Sequence, residues 1–85
     1  MKLKIGNVYI TENGKLVLIN KRSFIGPPEG NIFFGTYVEK EDDYSDVYFY
    51  TNYSSMWLEN GQTGDNEYTS PIIAIYNEVT ELLFT

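Results

Sequence analysis

The sequence predicts a small β-rich fold, mostly β or α+β. A strongly bent antiparallel sheet of about five strands forms one compact domain over residues 1–85, finished by a C-terminal helix. Three observations predict it. Short apolar runs rich in Val, Ile, Tyr and Phe alternate with polar residues. Turn signals separate them at Asn13-Gly14, Gly26-Pro27-Pro28-Glu29-Gly30 and Asn60-Gly61. The tail alone carries apolar residues at helical spacing. A closing strand in place of that helix gives the alternative, an all-β barrel.

The elements follow in order. Lys2-Leu3-Lys4-Ile5 alternates like a half-buried strand, interrupted by Gly6-Asn7 and continued by Val8-Tyr9-Ile10-Thr11. Asn13-Gly14 predicts a hairpin, because both residues tolerate positive φ. Its return strand, Leu16-Val17-Leu18-Ile19, is apolar on both sides and should be central. Residues 20–31 read as a loop, since a Gly-Pro-Pro-Glu-Gly run cannot hold a ladder. Residues 32–39 read as a third strand, with Gly35 marking a bulge or sharp bend. Residues 46–51 and 55–58 read as two further strands, and residues 59–69 as a turn or loop. In Ser70-Pro71 a capping serine precedes a proline suited to the first helical position. Ile72, Ile75, Tyr76, Val79, Leu82 and Leu83 then share one helical stripe, although Ile72-Ile73-Ala74-Ile75-Tyr76 is also good strand sequence.

Composition removes whole classes of chemistry. With no cysteine and no histidine there is no disulfide frame, no zinc site of the usual kinds, and no Ser-His-Asp or Cys-His nucleophile. The glycine-proline run lacks the amide donors of a phosphate loop. Paired carboxylates acting as acid and base remain open in principle, but a short chain offers little depth to raise one of them. The expectation is a protein that is not an enzyme, has no cofactor and binds no metal. Glu39, Glu41, Asp42, Asp43 and Asp46 do not match a calcium-loop spacing and read as a solvated hairpin tip. No run approaches the roughly 20 apolar residues of a membrane span, and Met1-Lys2-Leu3-Lys4 leads no apolar segment. A cytoplasmic protein folding on packing alone is expected.

Charge is unevenly spread. Residues 1–40 hold all six cations against three acids; residues 41–85 hold nine acids and no cation. Such a half repels phosphate, which disfavours nucleic acid as its partner, and the acids serve either solubility or a basic protein surface.

The segment Lys40-Glu41-Asp42-Asp43-Tyr44-Ser45-Asp46-Val47-Tyr48-Phe49-Tyr50 carries the functional reading. Alternation puts Val47 and Phe49 on one face and Tyr48 and Tyr50 on the other; Met56 and Leu58 likewise oppose Trp57. Burying Val47, Phe49, Met56 and Leu58 leaves Tyr48, Tyr50 and Trp57 projecting together, flanked by Tyr44 and Tyr53 and rimmed by Glu41, Asp42, Asp43, Asp46 and Glu59. An aromatic patch with an acidic rim suits a basic protein partner, which gains ion pairs and cation–π contacts. A buried, purely structural role for these rings is the alternative.

Gly6-Asn7-Val8-Tyr9, Asn13-Gly14-Lys15-Leu16-Val17-Leu18-Ile19, Gly35-Thr36-Tyr37-Val38, Trp57-Leu58-Glu59-Asn60-Gly61 and Ser70-Pro71-Ile72-Ile73 together resemble small phage and prophage proteins with SH3-like β domains. The helical spacing after Ile75 departs from that pattern. The resemblance implies a small binding protein inside a bacterial host cell, acting as an inhibitor of a host enzyme by imitating nucleic-acid charge. A homo-oligomeric assembly subunit and a single-stranded nucleic-acid binder are the competing expectations.

Overall fold

The computed structural model describes residues 2–27, 30–44, 47–64 and 68–76, and the backbone of 82–83. Strands β1 (Val8–Thr11), β2 (Leu16–Gly26), β3 (Gly30–Lys40), β4 (Tyr48–Leu58), β5 (Ile72–Ile75) and β6 (Leu82–Leu83) form one sheet in the order β5-β1-β2-β3-β4-β6. The first five are antiparallel, and β6 adds to β4 in parallel. This fits the SH3-like all-β alternative. Ile72–Ile75 is a strand paired with β1, not the start of a helix. Its β-branched side chains meet a waiting edge, and that outweighs the helical spacing. Of the remaining helical stripe, Val79 lies outside the described residues. No helix among the described residues is long and apolar enough to cross a membrane.

The β1–β2 turn forms as the Asn-Gly signal predicts, with one difference: Gly14 alone is left-handed, at φ 83°. Its N–H donates to Thr11 C=O, a tight turn ending in a glycine. Residues 20–26 pair with β3 instead of looping, through Lys21↔Phe34, Arg22↔Phe33 and Phe24↔Asn31. Gly26 and Gly30, the two ends of the glycine-proline run, are the last partners of this long hairpin. The hairpin lengthens the molecule to 43 × 22 × 21 Å.

Gly35 marks a close approach with a bulge beside it. Register shifts between Ile19↔Gly35 and the next pair, Lys21↔Phe34, so the extra residue lies on β2. Gly35 lies against Val17, leaving no room for a side chain. Residues 46–51 and 55–58 belong to one strand instead of two. At the join, Thr51 Oγ donates to Tyr37 C=O (2.9 Å) and accepts the Tyr53 N–H (3.1 Å), stapling a bulge in place.

Direct cross-strand partners share a face. On one face Tyr9, Val17 and Tyr37 line up, as do Ile19 with Gly35 and Phe33 with Trp57. Leu3, Tyr9, Val17, Ile19, Phe33, Trp57 and Ile72 form the main core there, with Tyr37 packed on its edge. Residues 2–5 form no strand. Leu3 instead plugs this core, and its N–H bonds Glu59 C=O. The segment after β4 folds over the same side: Trp57 Nε1 donates to Ser70 C=O (2.9 Å), and Ile72 N–H to Gly61 C=O. Ser70 therefore anchors the loop, and its hydroxyl accepts the Asn13 N–H; it caps no helix.

Candidate functional site

The structure distributes the expected patch over several places. Tyr48 and Tyr50 share a face, as alternation requires, but that face also carries Val38 and the Lys40 partner of Tyr48. Tyr48 is only 2% exposed and Tyr50 half-buried. The Tyr76 ring meets Tyr48 edge-on at 6.5 Å, and Lys40 Nζ sits 5.7 Å from the Tyr48 ring centroid. Trp57 lies on the opposite face, 1% exposed, in the main core. The projecting triad Tyr48, Tyr50 and Trp57 therefore does not form. The expected core residues separate as well: Met56 is exposed, while Val47, Phe49 and Leu58 are half-buried. The cause is register. With one continuous β4, residues 47 and 49 face opposite to 56 and 58.

The acids are scattered too. Glu41, Asp42 and Asp43 are exposed in the loop after β3, where Asp42 accepts the Tyr44 N–H. Tyr44 is fully open to solvent. Glu59 lies at the far end of β4, where Asn31 Nδ2 donates to it (2.8 Å) and Lys2 pairs with it (3.4 Å). The Asn31 hydrogen bond, more than Lys2, holds the Glu59 carboxyl below its ordinary pKa. Asp46 lies outside the described residues. Among the described residues, no three carboxylates converge on a metal position.

Of the expected rings, Tyr53 lines a sizeable concavity. A cleft of about 610 Å³ opens where the β1–β2 turn, the β4 bulge and residues 68–69 meet across β3. Tyr37 joins it to the core, Tyr53 (74% exposed) stands on the bulge, and Tyr68 (93% exposed) lies beyond them. Glu39 and Lys15 supply one charge of each sign, and Ser55 and Thr69 add paired hydroxyls. Burial pushes the Tyr37 phenol up from its ordinary pKa, and a hydrogen bond with Ser55 partly opposes this. The Tyr37 ring meets Trp57 edge-on at 5.9 Å, so the buried indole adjoins the cleft.

The staple explains why the cleft exists here. Thr51 ties β4 to Tyr37 C=O, and the two extra β4 residues between Thr36↔Ser54 and Val38↔Tyr50 bulge outward with Tyr53. Sequence reasoning missed Tyr37, Tyr68, Lys15 and Glu39. The available signal was Tyr37, two residues beyond a strand glycine and therefore on the same face. Chemically the cleft offers phenol faces, hydroxyls and one carboxylate, a set suited to binding apolar and cationic groups together. No family model, curated protein or solved structure matches this chain.

Proposed function

We propose that the protein is a small, non-catalytic binding module that takes a basic, aromatic-bearing segment of a protein partner in the Tyr37–Tyr53–Tyr68 cleft. One observation carries the reading: three tyrosines surround a concavity of about 610 Å³ beside Glu39, and two of them are largely exposed. That volume lies within the roughly 300–1,000 Å³ usual for small-ligand sites. Tyrosine gives large contact area with little rotamer freedom to lose, which suits it to recognition. Glu39, followed by Glu41, Asp42 and Asp43, favours a cationic partner and speeds its approach at low salt.

Trp57 supplies a readout, because its ring touches Tyr37 from below. Titration with a short peptide alternating Arg with Phe should shift Trp57 emission. Affinity should fall as salt rises, and Tyr53→Ala or Glu39→Gln should weaken binding several-fold. An unchanged spectrum at millimolar peptide in low salt, or equal binding by Tyr53→Ala, would refute the assignment.

A further inference from the structure

The far end of the molecule carries a feature complementary to that cleft. The β2–β3 hairpin outruns its neighbours: β1 pairs only with residues 16–18 of β2, and β4 pairing stops at Ile32↔Leu58. Apart from β3, its partner in the hairpin, no described strand flanks residues 24–26. At this end Phe24 is 69% and Ile25 58% exposed. Between Phe24↔Asn31 and Gly26↔Gly30 the register shifts, so Ile25 is the extra residue of a bulge that turns the end of the arm. The tip is thus a narrow apolar wedge, standing beyond the rest of the sheet, of a shape that a concave partner would cover. Set back from it are Arg22, on the face of Phe24, and Lys21, on the opposite face of the arm, forming a cationic collar.

The cleft lies at the other end. Its Tyr37 is six residues along β3 from Asn31, the partner of Phe24, or about 20 Å at strand rise. A paired ribbon cannot fold back over that distance, so the wedge cannot reach its own cleft. We infer that the wedge of one copy, Phe24 and Ile25, seats in the Tyr37–Tyr53–Tyr68 cleft of a second copy, with Lys21 and Arg22 meeting Glu39 and the acids that follow it. This rests on the binding role proposed for the cleft and names its occupant. Lys15 lines the cleft with Glu39 and Lys40 follows Glu39 in sequence, but Glu39, Glu41, Asp42 and Asp43 outnumber them at this end. At physiological salt a charge is screened beyond about 8 Å, so the two ends act independently despite the overall charge of −6. Because wedge and cleft are different surfaces, the contact is head-to-tail and propagates from copy to copy.

Sedimentation of the full-length chain across concentration at low and high salt tests the inference. The expected result is concentration-dependent association that weakens at least tenfold in high salt. Phe24→Ser/Ile25→Ser (wedge lost) and Glu39→Lys/Tyr53→Ala (cleft lost) should each be monomeric alone. Mixed, they should form capped one-to-one dimers and nothing larger, since each retains one working half; this also shows both variants are folded. A strictly monomeric wild-type chain overturns the inference, as does a wedge variant that associates like wild type. If a monomeric chain still binds the Arg-Phe peptide, the cleft reading stands and only its occupant is wrong. Monomers that bind phosphatidylserine vesicles through Phe24 and Ile25 would overturn it in favour of membrane insertion.

Discussion

Gly35→Ala separates two opposite expectations by sign. In a strand free of close neighbours, alanine should stabilise, because glycine costs about 0.5–1 kcal/mol of extra backbone entropy on folding. Here the new Cβ would lie 2.5 Å from Val17 Cγ2, 3.0 Å from Leu18 O and 3.1 Å from Ile19 Cδ1. Val17 and Ile19 are fully buried, and valine is stiff at χ1, so neither can swing aside cheaply. Leu18 O belongs to the neighbouring strand's backbone. Overpacking of this kind costs about 1–3 kcal/mol, which outweighs the entropic gain. The net loss is about 1–2 kcal/mol. For a domain this small, each kcal/mol moves Tm by roughly 4–8 °C, so Tm should fall by roughly 5–15 °C. Thermal and urea unfolding followed by circular dichroism and Trp57 emission measure it. Val17→Ala alone should cost about 2 kcal/mol through its cavity. Combined with Gly35→Ala it should cost less than the sum, because it removes the tightest clash. An unchanged or higher Tm for Gly35→Ala would refute both the close approach and the Ile19↔Gly35 register.

Three further outcomes follow from the same packing. Trp57→Phe keeps an aromatic ring in the core but leaves Ser70 C=O without its indole donor. It should cost about 1–3 kcal/mol in urea unfolding followed by circular dichroism, and wild-type stability would show that the loop is not held there. Thr51→Val keeps the shape but removes the hydroxyl that staples the bulge; a loss of about 1 kcal/mol with weaker Arg-Phe peptide binding is expected, and Thr51→Ser should recover both. Burial raises the Tyr37 pKa, so its contribution is fully present below the ordinary phenol pKa of about 10 and is lost as pH rises through the folded value. Melts between pH 9 and 11.5 should therefore show a steeper alkaline loss in wild type than in Tyr37→Phe, and parallel curves would contradict the shift.

Much of the sheet was legible because alternation and turn chemistry are local. Val8–Thr11, the Gly14 turn and the central place of β2 follow from residues near one another in sequence. The hairpin arm was not legible, because Lys21, Arg22 and Ser23 have no strand propensity of their own. They are strand residues through pairing with Phe34, Phe33 and Ile32 across the turn. The tail misled for the converse reason: Ile72 and Ile75 fit a helical stripe, but Thr11 and Tyr9 supply the edge they pair with. The cleft depends on three separate segments meeting, and no local pattern announces that.

The aromatic patch failed for a narrower reason, which a count of extra residues makes explicit. Alternation assigns neighbours to opposite faces but leaves open which face is buried, and every irregularity can reset that choice. On β2 one extra residue at Ile19/Lys21 shifts the pairing parity, so Ile19 and Lys21 occupy opposite faces although they are two apart. On β4 two extra residues sit between Tyr50 and Ser54, an even number, so parity survives and Tyr48 and Tyr50 remain opposed to Trp57. Treating 46–51 and 55–58 as separate strands allowed the two halves to be turned independently, and that freedom assembled a triad the continuous strand forbids. Both sides of β4 are apolar enough to be covered, Trp57 by the main core and Tyr48 by Tyr76 and the Lys40 side chain. The ring left to solvent on this strand is Tyr53, raised by the irregularity itself, and it borders the cleft where binding is proposed.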